Sequence, residues 1–173
     1  MKYFIDTEFA QGKAGILPIS IGVTCSDGRD YYAVLNETLS AEYTSPWLQR
    51  NVIAKLNPSK NRTLESFIRQ PEDVARELKE FIRPGRNLPQ IEFWGWFAAD
   101  DWYILTQLYG GKLNLPVGWP QYCNDLAQTA RAFGNFSMPH QSEQAHNALA
   151  DALWTKKYWE YLNKYAGQYG LSV

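Results

Sequence analysis

An excess of charge of either sign is missing. Across 173 residues, 17 Lys and Arg stand against 18 Asp and Glu, a formal net charge of −1. Without a global basic field the chain has no long-range pull on a polyanion, which argues against a high-affinity duplex binder. Cysteine is scarce. Cys25 and Cys123 lie far apart, follow no metal-ligand spacing, and read as reduced, buried thiols. A long apolar run is also absent. The N-terminal MKYFIDTEFA carries an acidic pair where a secretory signal needs apolar residues, and no stretch is long enough to span a bilayer. The expectation is a cytoplasmic protein with no membrane partner. Histidine occurs twice, at His140 and His146.

What is present suits one domain, residues 1–173, with a core that needs no disulfide or structural metal. Hydrophobic residues at 45% and charged residues at 20% are ordinary for a globular chain. Aromatics are plentiful, with seven Trp, and core packing accounts for most of them; a few are available to stack on bases.

Periodicity gives the elements. Residues 2–6 place Tyr3 and Ile5 on one side and Phe4 and Asp6 on the other, so both faces are largely apolar, as in a central strand covered twice. In residues 17–24, Ile19, Ile21 and Val23 alternate with Ser20, Gly22 and Thr24, the period of a second strand. Ser26-Asp27-Gly28-Arg29 predicts a hairpin turn with a type I′ Asp-Gly pair, and 30–35 returns as a third strand. Helices are expected at about 46–55, where Ser45-Pro46 can cap and start one, at 63–69, and from Pro71 to about residue 82, with acids in its first turn and Gly85 after its end. A buried strand at 91–96, a helix at 99–109, a loop over 112–120, a short strand near 121–123, a helix at 125–133, a loop at 134–142 and a final helix at 143–165 follow. The order predicts an α/β fold, a mixed sheet made of an antiparallel three-stranded meander plus parallel strands, flanked by helices.

Three acidic clusters carry the chemistry. Asp6 and Glu8 are two apart on a strand and project from one face. Beside apolar Phe4 the pair is costly to bury unless a cation compensates, and oxygen ligands without cysteine favour Mg²⁺ or Mn²⁺ over zinc. Asp100 and Asp101 open a helix. Asp101 shares a face with Leu105 and Leu108 and is expected to point inward, leaving Asp100 as the better cap. His146 and Asp151 are five apart, about 140° around a straight helix. They meet over one site only if His146 lies in an irregular first turn. Asp151 begins an inward face with Trp154 or Thr155 and Tyr158. Four carboxylates and one imidazole match the inventory of a two-metal phosphodiester-cleaving site. For a substrate's terminal base, Phe9 is the first candidate contact, with Ile16, Ser20 and Phe97 behind it. An RNA-selective site needs a polar contact to the terminal 2′-hydroxyl, for which the backbone near Thr7-Glu8 or the Glu8 side chain is the candidate.

With these residues in view, the chain resembles the DEDDh 3′→5′ exonucleases of the ribonuclease H-like superfamily. The match is Asp6-x-Glu8, Asp101, and His146-x₄-Asp151 in that order. The words DTEF, ISIGV, DGRDYYAVL, WGWFAADDWYIL and HNALADA resemble the polyadenylate-specific exoribonucleases of the RNase AS type, distantly like RNase T. Phe97-Ala98-Ala99 stands where many DEDDh enzymes carry His-Asn; the RNase AS branch has a similar Ala-Ala. Asp100 stands where that branch tends to carry an aromatic.

The resemblance implies a ribonuclease H-like sheet, two Mg²⁺ ions (Mn²⁺ substituting) held by Asp6, Glu8, Asp101 and Asp151, and a neutral His146 as general base. It implies a single-stranded RNA 3′ end as substrate, with adenylate preferred, nucleoside 5′-monophosphates as product, and a homodimer, for which the aromatic final helix is one possible contact. The competing readings are a DNA exonuclease of the same mechanism and a catalytically silent nucleic-acid-binding module.

Overall fold

The structure, a computed structural model, describes residues 1–12, 15–35, 45–83, 90–134 and 145–168. Gly85, His140 and most of the loop expected at 134–142 lie outside the described residues.

Strands β1 (Lys2–Gly12), β2 (Gly15–Cys25) and β3 (Asp30–Leu35) form the predicted antiparallel meander. Three short strands extend it in parallel: β4 (Ile68–Arg69) beside β3, β5 (Glu92–Gly95) beside β1, and β6 (Asn124–Asp125) beside β5. The six-stranded order is β4-β3-β2-β1-β5-β6, so β1 is central. Among the described residues five α-helices flank this sheet: α1 (Pro46–Asn51), α2 (Pro71–Phe81), α3 (Ala99–Gln107), α4 (Leu126–Ala132) and α5 (Ala148–Gln168).

Strand alternation builds two cores. Tyr3 and Ile5 join Val74 and Leu78 of α2 and Leu105 of α3 on one face. Phe4 joins Leu126 and Ala130 of α4 and Trp154, Tyr158 and Leu162 of α5 on the other. Full burial of each Val, Leu, Ile or Phe among them contributes about 1.5–3 kcal/mol. A third cluster, with Ala10, Ile19, Val34, Val52 and Leu56, seats α1 and the turn after it.

Several expectations change in detail. The β2–β3 turn is not type I′, which requires positive φ at both central residues. Among described non-glycine residues only Phe97 and His146 have positive φ, so Asp27 does not qualify. Instead Gly28 N–H donates to the Cys25 carbonyl (3.1 Å), Gly28 itself takes φ 92°, and Asp27 Oδ1 accepts from Arg29 N–H (3.1 Å). The helix predicted for 46–55 breaks at Val52 (φ −114°, ψ −63°) into α1 and a 3₁₀ turn, Ile53–Lys55, where two β-branched residues adjoin. Ser45 does cap α1, accepting from Leu48 N–H. The segment 63–69 is a 3₁₀ turn, Leu64–Phe67, running into β4. Residues 145–147 are not helical, so the final helix runs Ala148–Gln168; residues 143 and 144 lie outside the described residues. The alternation of β2 also breaks: Ile21 and Val23 share one core but Ile19 enters another. The pairing runs Glu8↔Ser20, then Phe9↔Pro18, so Ile19 is an inserted residue, a β-bulge opposite the Glu8–Phe9 step.

Candidate active site

β1 carries the acids into the middle of the molecule. Phe4, Asp6 and Glu8 project toward α5, while Tyr3, Ile5 and Thr7 project toward α2 and α3. β5 pairs with β1 only as far as Phe4↔Trp94. Past that point the chain turns away at Gly95, where a Cβ would lie 2.8 Å from the Ala98 Cβ. Asp101 then takes the place of the missing strand. Its Oδ1 accepts from Thr7 N–H (2.8 Å) and from the Thr7 hydroxyl (2.6 Å). Asp101 is buried as the helical face predicts, alongside Leu105. Asp100 is exposed and does not cap: α3 begins after Ala98, whose N–H donates to Asp125 Oδ2 (3.1 Å). Asp125 also caps α4 through Gln128 N–H.

The opposite face supplies the other two residues. Gly22 pairs with Asp6 across the sheet, and a Cβ on Gly22 would stand 2.3 Å from the Ala148 carbonyl carbon and oxygen. The bare backbone of Gly22 therefore lets the first turn of α5 sit directly on β2 beside Asp6. Asn147 caps that helix. Its Oδ1 accepts from Ala150 N–H (3.2 Å) and its carbonyl from Asp151 N–H (2.9 Å). His146 precedes the cap in a left-handed conformation (φ 70°), and its N–H donates to Asp151 Oδ2 (2.7 Å). That bond folds the irregular turn back on the helix. It resolves the 140° discrepancy of the helical spacing, because His146 is not helical.

The result is a compact donor set. One ligand atom from each of Glu8, His146 and Asp151 lies within 4.8 Å of the others, close enough to share an ion. Asp6 sits among the acids. Burial, then the charges of Asp101, Asp151 and Glu8, push its carboxyl well above the usual carboxylate range. Burial, then Asp151 and Asp101, raise Glu8 to about 8, against a weaker opposing pull from Lys55. Burial raises Asp101 to about 7, although the two Thr7 hydrogen bonds favour its charged form. Four carboxylates brought this close in a desolvated site require positive charge to ionise together. The donors are mostly hard oxygens, which suit Mg²⁺ or Mn²⁺.

The base-contact candidates fall in different places. Phe9 is partly exposed just past the bulge. Phe97 is 61% exposed in a left-handed conformation (φ 54°), a strained placement for a bulky residue. Ile16 lines a groove of about 390 Å³ with Pro18, Tyr103 and Ile104. Ser20 is fully buried opposite Glu8, and the Thr7 hydroxyl is engaged by Asp101. The sequence reading missed Gly22, Asn147, Lys55 and Trp47, whose ring meets that of His146 edge-on at 5.0 Å. A glycine inside a strand pattern and an Asn just before a helix were the available signals for the first two. Nothing in the sequence marks the other two. Most α5 aromatics are used internally: Trp154 and Tyr158 pack on Trp96, and Trp159 on Phe4 and Trp94.

An α/β sheet with carboxylates gathered along its central strand, past the point where β5 leaves it, defines the class of arrangement, and comparison gives the family. The profile described as the 3′-5′ exoribonuclease Rv2179c-like domain matches residues 1–163. Two proteins of Mycobacterium tuberculosis, 3′-5′ exoribonuclease Rv2179c (strain H37Rv) and 3′-5′ exoribonuclease MT2234.1 (strain CDC 1551), are each 36% identical over 152 residues, covering 88% of this chain and 87% of theirs. The chain belongs to the 3′-5′ exoribonuclease Rv2179c-like family, a family of enzymes.

Proposed function

We propose that this enzyme is a Mg²⁺-dependent 3′→5′ exoribonuclease of the DEDDh type, closest to the RNase AS branch. In this reading it removes nucleoside 5′-monophosphates from single-stranded RNA and prefers adenylate. One observation carries the reading. Glu8, His146 and Asp151 are close enough to act on one centre, with Asp6 electrostatically coupled to it and Asp101 held against the same strand from the other face. The family supports the reaction direction and the nucleic acid.

Asp6, Glu8, Asp101 and Asp151 would hold the divalent ions of such a centre. Bound there, such ions supply Lewis acidity and positive charge at a phosphodiester. The chain's own residues do the rest. Glu8 and Asp151 draw the centre toward the α5 face, and Thr7 fixes the Asp101 carboxylate on the α3 face. His146, outside the helix and beside Glu8 and Asp151, accepts the proton of the attacking water through a ring nitrogen. Exposed Phe97 and partly exposed Phe9 offer apolar surface to the terminal base, worth roughly 1–3 kcal/mol per stacked base. A homodimer belongs to the same reading and is checked by light scattering.

The decisive experiment compares 5′-labelled oligo(A), oligo(U) and oligo(dA) with Mg²⁺ and with chelator. The expected result is stepwise shortening from the 3′ end, fastest on oligo(A) and absent with chelator. Faster turnover of oligo(dA) would sink the ribonuclease assignment, and equal rates on oligo(A) and oligo(U) would remove the adenylate preference.

A further inference from the structure

The conformation of His146 is unusual, and the residues that hold it come from an unexpected part of the chain. A non-glycine residue in the left-handed region persists only where its surroundings over-determine it. Asp151 holds the His146 N–H from within α5. The residues on either side of His146 are held from outside, by the 3₁₀ turn that follows α1. Lys55 Nζ donates to the Ala145 carbonyl (2.7 Å). The Lys55 carbonyl accepts from Asn147 Nδ2 (2.8 Å). The same Asn147 amide reaches the Tyr32 hydroxyl (3.3 Å), which in turn donates to the Leu56 carbonyl (2.8 Å). One residue thus grips the chain immediately before and immediately after His146, once through its side chain and once through its backbone. The turn that carries Lys55 is itself anchored, because Val52 and Leu56 are buried in the core on either side of it.

We propose that Lys55 is a positioning residue for the reaction, fixing His146 over the acidic centre by bridging to Ala145 and Asn147. The proposal rests on the reading of His146 as general base. Lys55 touches neither the phosphate nor the attacking water in this role. Its effect belongs to the chemical step rather than to strand binding. Its backbone bond to Asn147 survives any substitution, so the side chain controls the Ala145 end of the bridge. The ammonium also attracts Glu8 electrostatically. A role exerted through Glu8 alone would persist when His146 is gone, which makes the two routes separable.

The test is a double-mutant cycle on the full chain, with steady-state kinetics on oligo(A) and Mg²⁺. Lys55→Met keeps the aliphatic stem and removes the donor. It is expected to lower kcat about 10–100-fold, the usual scale for a residue orienting a catalytic group, while KM stays within about threefold. Lys55→Arg keeps a donor and the charge and is expected to recover most of that loss. In a His146→Ala background, Lys55→Met is expected to change the residual rate less than about twofold, because its effect passes through the imidazole. An equal loss in that background overturns the proposal, as does a loss carried by KM. So does Lys55→Arg behaving like Lys55→Met while melting at the parent temperature. Should His146→Ala alone retain the parent rate, the general-base reading itself fails, and that outcome is visible before any Lys55 variant is examined.

Discussion

Gly22 and Ala148 touch backbone to backbone: a Cβ built on Gly22 would lie 2.3 Å from both the carbonyl carbon and oxygen of Ala148. This contact sets how deeply α5 sits on the sheet, and with it the position of Asp151 and His146 relative to Asp6. Gly22→Ala must push the helix start outward, since the obstacle is backbone and cannot rotate away. Overpacking of this kind costs about 1–3 kcal/mol, and misplacement of a catalytic group by about 1 Å costs on the order of 10²-fold in rate. A lowered Tm with kcat reduced far more than KM is raised is the expected pattern. Parent activity in the variant would show that the helix start has slack.

Thr7 holds Asp101 by two bonds, of which the hydroxyl supplies one. Thr7→Val keeps the shape and the backbone bond. Loss of a partner that orients a ligand residue typically costs about 10–100-fold in activity or metal affinity. Isothermal titration with Mn²⁺ and the rate on oligo(A) are expected to fall together. A variant with unchanged affinity and rate would leave Asp101 positioned by its helix alone.

Asp6 faces the charges of three neighbouring carboxylates. Asp6→Asn removes a carboxyl whose ionisation the crowded, desolvated site opposes, so without divalent ions the variant is expected to melt higher than the parent. It is also expected to show no measurable turnover, because the proposed metal centre loses a charged carboxylate ligand. Thermal melts in chelator and the oligo(A) assay check the two halves separately.

The raised carboxyls predict how stability varies with pH. Folding favours protonated Glu8, whose pKa rises from 4.5 to about 8 by burial. The stability this contributes is complete below 4.5 and is lost as pH climbs through about 8. Asp101, raised to about 7, and Asp6 act in the same direction. In chelator the Tm is expected to fall between pH 5 and pH 8. Mg²⁺ or Mn²⁺ is expected to restore more at the alkaline end, where the charged carboxylates bind it. A metal-induced Tm shift that is larger at pH 5 than at pH 8 would contradict this account.

Much of the candidate site is legible in the sequence. The Asp6–Glu8 spacing needs only the two-residue period of a strand, and the choice of Asp101 over Asp100 needs only its position relative to Leu105. The apolar alternation of Tyr3, Phe4 and Ile5 already required a central strand covered on both faces. Local errors arose where a few residues decide the geometry. The Gly28 turn, the Ile19 bulge and the two-residue strands β4 and β6 leave too short a pattern to read.

The sequence by itself determined the elements, the acid inventory and the order of the motifs, because these depend on short-range periodicity and side-chain chemistry. Tertiary structure alone decided how His146 meets Asp151 and Glu8. That meeting depends on a left-handed residue, a glycine far upstream that lets a helix approach, and a lysine ninety positions away that holds the turn. Long-range contacts of this kind leave no periodic trace along the chain. Their physical cause is the close packing of α5 on β2, which no local pattern encodes.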